Sequence, residues 1–124
     1  MRIGSDNSFL SVDRVAKQDP GPVWRVEAAS VSDGWKFAAS HERVRVLNAE
    51  ETLAQVSEFA FLKAQRVDMA LSEGGWLRVK RHPNGQILVR YRVARMSAGR
   101  ALEGEVRLEP EFAEAFYHEL RRLL

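Results

Sequence analysis

Trp76, Arg78 and Lys80 stand at alternate positions of one short run, and Arg90 and Arg92 do the same in the next. Alternate residues of an extended strand share a face, so pairing these two runs gathers the side chains on one surface. Tryptophan and arginine are the types most enriched where proteins bind one another, because each covers a wide area while keeping a polar handle. Trp76, Arg78, Arg90 and Arg92 are therefore the candidate partner-binding residues. Two blander readings stand beside this one. Asp68, Glu103 and Glu105 can neutralise much of the patch, and arginine stacked on tryptophan within a sheet is itself stabilising. The same cations could track a nucleic-acid backbone, although such a site favours a cleaner positive groove with several stacking aromatics.

Bond-making chemistry finds less support. His41, His82 and His118 are separated by whole elements, and none has metal-ligand spacing to another histidine or to an acid. No Gly-x-Ser-x-Gly is present, and no serine is grouped with a histidine and an acid. The glycines follow turns rather than a phosphate-cradling or dinucleotide pattern. Glu103 and Glu105 share a strand face with arginines, which reads as a charge ladder rather than an acid–base pair. The absence of cysteine removes disulfides, thiolate nucleophiles, iron–sulfur clusters and cysteine-built zinc sites, and it fits a reducing compartment. The expectation is a protein that is not an enzyme and uses no cofactor or metal.

Those candidate residues must be positioned by a fold of 124 residues, 45% hydrophobic and 29% charged, the proportions of a single domain spanning 1–124. Nineteen basic against seventeen acidic residues give a formal charge of +2, a near balance rather than a polycation. No apolar run approaches the roughly 20 residues of a membrane-spanning helix. Residues 1–8 lack the hydrophobic stretch of a signal peptide. The expected setting is the cytoplasm, away from membranes.

Polar residues at the start read as loose, followed by an alternating strand at 9–16. Two prolines and a glycine in 17–22 predict a turn, with a new strand from Val23. Strands over 23–31 and 35–40 flank Ser32-Asp33-Gly34, whose Asp-Gly suits a tight antiparallel hairpin; the run 43–47 continues or follows the third strand. Asn48 with Glu51 three residues later is a helix-start signature, predicting a helix over about 49–63 with Leu53, Val56 and Ala60 on its apolar stripe and Phe59 beside them. Trp24, Trp35 and Phe37 are expected in the core or in packing between sheet and helix.

Four further strands, near 67–71, 76–81, 86–94 and 101–109, are constrained by side-chain parity. A three-residue loop at 73–75 sets Leu71 opposite Leu77 and Met69 opposite Val79. The turn at 82–85 sets Val79 opposite Val89, and the loop 95–100 sets Val89 opposite Val106. On the other face this register gives Asp68 opposite Lys80, a row Ala70–Arg78–Arg90–Glu105 and a row Ser72–Trp76–Arg92–Glu103. Pro110 opens a terminal helix whose stripe is Phe112, Phe116, Leu120 and Leu123. The fold class is α+β in two layers, an antiparallel sheet of about seven strands with two helices on one face.

The order of a tryptophan-bearing strand (Val23-Trp24-Arg25-Val26-Glu27), its hairpin partner (Gly34-Trp35-Lys36-Phe37), a helix, a meander and a terminal helix (Glu111-Phe112-Ala113-Glu114-Ala115-Phe116) resembles the WapI-like immunity proteins of bacterial polymorphic toxin systems over nearly the whole chain. The resemblance implies a cytoplasmic, non-enzymatic protein that binds and neutralises a cognate toxin, often a nuclease. Because the chain is slightly positive, it further implies a toxin less basic than many nucleases, or a local acidic patch here. No site residue is carried over, since the likeness lies in element order. The functional expectation is a protein-binding module. A nucleic-acid binder using the Trp76 and arginine face, and a homo-oligomeric structural protein, are its alternatives. The strand 9–16 is expected as an uncovered edge through which a homodimer could form.

Overall fold

Asp33 and Gly34 adopt φ of 52° and 78°, the left-handed pair that lets a two-residue turn match the twist of its strands. The turn joins β3 (Gly21–Ser32) to β4 (Trp35–Arg45), with Ser32 opposite Trp35 and Ala28 opposite Ala39. β2 (Phe9–Gln18) pairs with the other side of β3, and a short β1 (Arg2–Gly4) pairs with β2. Two expectations are corrected here. The first residues are anchored, with the Met1 ammonium donating to the Val12 carbonyl at 2.8 Å; three residues of β1 are too few to display alternation. The strand at 9–16 is not an open edge at its start, since β1 covers Phe9, Leu10 and Ser11.

The structure is a computed structural model and describes residues 1–18, 21–60, 64–95 and 99–124. The turn expected at 17–22 falls partly outside these residues. Its described parts are extended: Lys17 and Gln18 end β2, opposite Pro22 and Gly21 at the start of β3. Pro22 has no N–H to give the ladder, but its carbonyl accepts from the Val46 amide at 3.1 Å.

β5 (Arg66–Ala70), β6 (Trp76–Arg81), β7 (Ile87–Arg95) and β8 (Arg100–Leu108) form the expected meander. The β6–β7 and β7–β8 registers are those parity requires, with Val79 opposite Val89, Leu77 opposite Tyr91 and Val89 opposite Val106. The first hairpin is shifted by two residues: Met69 faces Leu77 and Val67 faces Val79. Its connection is five residues rather than three, because a 3-10 turn at Ser72–Gly74 takes Leu71 out of the ladder and into a bridge with Val46. An odd loop of either length keeps the same faces inward.

The single seven-stranded sheet is therefore corrected to two antiparallel sheets of four strands, ordered β1-β2-β3-β4 and β5-β6-β7-β8, with two helices. α1 (Ala49–Ala60) is inserted between β4 and β5, so among the described residues only Val46 and Leu71 bridge the sheets. β7 and β8 face β3 and β4, whereas α1 packs on β5 and on α2 (Ala113–Leu123). One continuous core results, drawing Leu10, Val26, Val44, Phe59, Val79, Val89, Phe116 and Leu120 from both sheets and both helices.

Polar groups join these layers. The Trp24 indole N–H donates to the Leu123 carbonyl at 2.9 Å, fixing the end of α2 over the first sheet. Arg81 donates to the Phe59 carbonyl at 2.6 Å and to the Tyr117 hydroxyl at 2.9 Å, tying both helices to β6. The tip of β3 and β4 is less covered. Trp35 and Phe37 share the inward side of β4 with Ala39, yet they are 73% and 50% exposed. Their expected place in the core is corrected, because the tip extends past the packed layers; Trp24, deeper in β3, is fully buried.

Both helix stripes are also revised. Asn48 does not cap α1 through its side chain: its amide donates to the Asp68 carbonyl and accepts from the Ala70 N–H, while Gln55 accepts from the Asp68 N–H. Asn48 and Gln55 lie seven residues apart, on one helix face. That face turns Thr52, Val56 and Phe59 inward and leaves Leu53 40% exposed. The predicted last turn of α1, 61–63, lies outside the described residues. In the terminal helix the first turn is 3-10, Pro110–Phe112, whose tighter winding carries Phe112 off the stripe and leaves it 55% exposed.

Candidate partner-binding face

Because side chains alternate across a strand, burying Val67, Met69, Leu77, Val79, Val89 and Val106 sends the intervening residues of β5 to β8 outward. Trp76, Arg78, Arg90 and Arg92 all belong to this outer face, in contiguous positions: Trp76 is opposite Arg92 and Arg78 opposite Arg90. The structure thus brings together all four residues singled out from the sequence.

The two-residue shift of the first hairpin rewrites the rows. Asp68 faces Arg78 rather than Lys80, giving a row Asp68–Arg78–Arg90–Glu105, and Ala70 replaces Ser72 beside Trp76. The new row flanks its adjacent arginines with an acid on each side, relieving the like-charge contact. Asp68 lies 3.7 Å from Arg78 Nε and 2.8 Å from Arg66 Nε. Glu105 lies 3.9 Å from Arg90 and 3.3 Å from Arg107, and Glu103 lies 3.8 Å from Arg92. Exposed pairs of this kind contribute at most about 1 kcal/mol each, so the acids hold the arginines loosely.

Trp76 is half-buried, and the Arg78 guanidinium lies over its ring at 4.2 Å from the centroid. Arg92, opposite Trp76, has its Nε buried with no hydrogen-bond partner. A third row, Arg66–Lys80–Leu88–Arg107, carries no acid. Arg66 and Arg107 were not among the candidates read from the sequence; Arg107 could have been found, since it continues the alternation of Glu103 and Glu105. Six cations on this face meet the three acids Asp68, Glu103 and Glu105. The excess exceeds the +2 of the whole chain, which concentrates the positive charge of the molecule on one sheet face.

A second polar cluster joins β4 to the connection between β5 and β6. His41 Nδ1 accepts from the Arg43 amide, so its Nε2 is the nitrogen that donates to Glu73 across the gap between β4 and the Ser72–Gly74 turn. Among the described residues no group of three or more histidines and acids is placed to hold a metal ion. Among the described residues no helix is long and apolar enough to cross a membrane. No protein-family model matches the chain, and neither a curated protein nor a solved structure shows significant similarity to it.

Proposed function

We propose that the protein is a non-enzymatic protein-binding module whose outer face on β5 to β8 docks an acidic surface of a protein partner. The observation that carries this reading is the unbalanced charge of that face, gathered around a half-buried tryptophan with an arginine over its ring. Charge excess of one sign steers an oppositely charged partner and sets its orientation. Trp76 and its arginines supply the area and polar handles that anchor interfaces. Element order resembles the WapI-like immunity proteins, and a cognate toxin with an acidic face is the partner such a role would require. The cytoplasm is the compartment in which that role would be exercised.

The test uses the intact chain as bait, followed by purification of the captured protein and calorimetric titration. The variant Arg78→Ala/Arg90→Ala removes exposed guanidinium groups and should bind at least tenfold more weakly, about 1.4 kcal/mol, with an unchanged melting curve. Equal affinity would remove this face from the interface. Binding of a short DNA duplex that falls steeply with salt would assign it to nucleic acid instead.

A further inference from the structure

The margin of β5 is satisfied by Asn48, Gln55 and the Leu47 amide, which donates to the Ala70 carbonyl. β1 and β8 stand against each other. β4 is different: it ends its sheet, and although the His41 side chain reaches Glu73, among the described residues no other element hydrogen-bonds the backbone of its far edge before Arg45, whose amide donates to Ser72 Oγ and beyond which Val46 bridges Leu71. In a two-residue hairpin the pair flanking the turn exchanges both hydrogen bonds. Ser32 with Trp35, Ser30 with Phe37 and Ala28 with Ala39 therefore spend their amides on each other. Lys36, Ala38 and Ser40, all exposed, point theirs away from β3. An open row of donors and acceptors beside two exposed aromatics is a template for another strand.

We propose that this edge pairs antiparallel with β4 of a second copy, about a two-fold axis at Ala38. The geometry of the chain selects that centre. The second copy's turn must stop short of Ser72, which excludes axes beyond Ala38. At Ala38 the pairing sets Lys36 opposite Ser40 with Glu42 on the diagonal, and Phe37 opposite Ala39, each twice. Lys36 and Glu42 have no ion-pair partner of their own among the described residues. Moving the axis to Phe37 would lose the contact between Lys36 and Glu42. A β-bulge sets Glu42 and Arg43 together opposite Arg25 and ends the flat stretch, so the pairing has a defined length. This inference rests on a strand edge and is independent of the outer face of β5 to β8.

Sedimentation velocity over a concentration series tests it. The wild type should show a monomer–dimer equilibrium. Lys36→Glu and Glu42→Lys each place like charges together twice and should weaken the dimer about fivefold, while the double exchange restores it. Ala38→Pro removes an outward N–H at the axis and should leave a monomer with unchanged circular dichroism. A wild type that stays monomeric throughout, or a dimer indifferent to all of these changes, overturns the proposal.

Discussion

Tyr91 and Gly104 face each other on one rung of the second sheet, and the tyrosine fills the space the glycine leaves. A β-carbon on Gly104 would come within 2.2 Å of the Tyr91 hydroxyl oxygen, so the glycine leaves the space through which the phenol donates to the Ala29 carbonyl of the first sheet at 3.3 Å. Gly104→Ala should cost about 1–3 kcal/mol by overpacking, more than the roughly 1 kcal/mol of Tyr91→Phe; denaturant unfolding checks the order. Burial raises the Tyr91 pKa above the ordinary phenol value. The folded state thus favours the protonated ring, whose contribution is fully present below about pH 10 and is lost as pH rises toward the folded-state value. The melting temperature should fall above about pH 10, and less steeply in Tyr91→Phe. At this scale the sequence separates poorly: Trp24 and Trp35 occupy similar alternating strands, and only their depth in the hairpin makes one core and the other exposed.

Helix α1 shows how an element can be located correctly for a different local reason. Asn48 marks its start, but the side chain serves the β5 backbone as a surrogate neighbouring strand. Asn48→Ala should destabilise the fold by about 1–2 kcal/mol by stranding an amide and a carbonyl, whereas Glu51→Ala should change it by less than about 0.5 kcal/mol. Equal losses in thermal melts would restore the capping reading. The meander was legible because its alternation admits one inward face, and the register of β6, β7 and β8 follows from turn chemistry. The shift of β5 was not legible, since loops of three and five residues preserve the same parity. Nor was the break into two sheets, which depends on α1 reducing the backbone link past the end of β4 to the Val46–Leu71 bridge and the hydrogen bond from the Leu47 amide to the Ala70 carbonyl.

Across the whole molecule, the helices and the first sheet cover one side of β5 to β8 and leave the other to carry the charge. All four candidate residues were legible there because parity alone assigns their face; Arg107 lay open in the same alternation as Glu103 and Glu105, and only Arg66 needed the register of β5 to join them. Surface charges act over about 10 Å at 0.1 M salt, so the surplus of this face guides a partner's approach while Trp76 and the flanking side chains make the contact. The most direct measurement is an amide NMR titration of the labelled chain with the purified captured partner. The account predicts shifts concentrated in β6, β7 and β8 around Trp76, Arg78, Arg90, Arg92 and Glu105. Shifts confined to the helices or to the β3–β4 tip, with those strands unmoved, would contradict it.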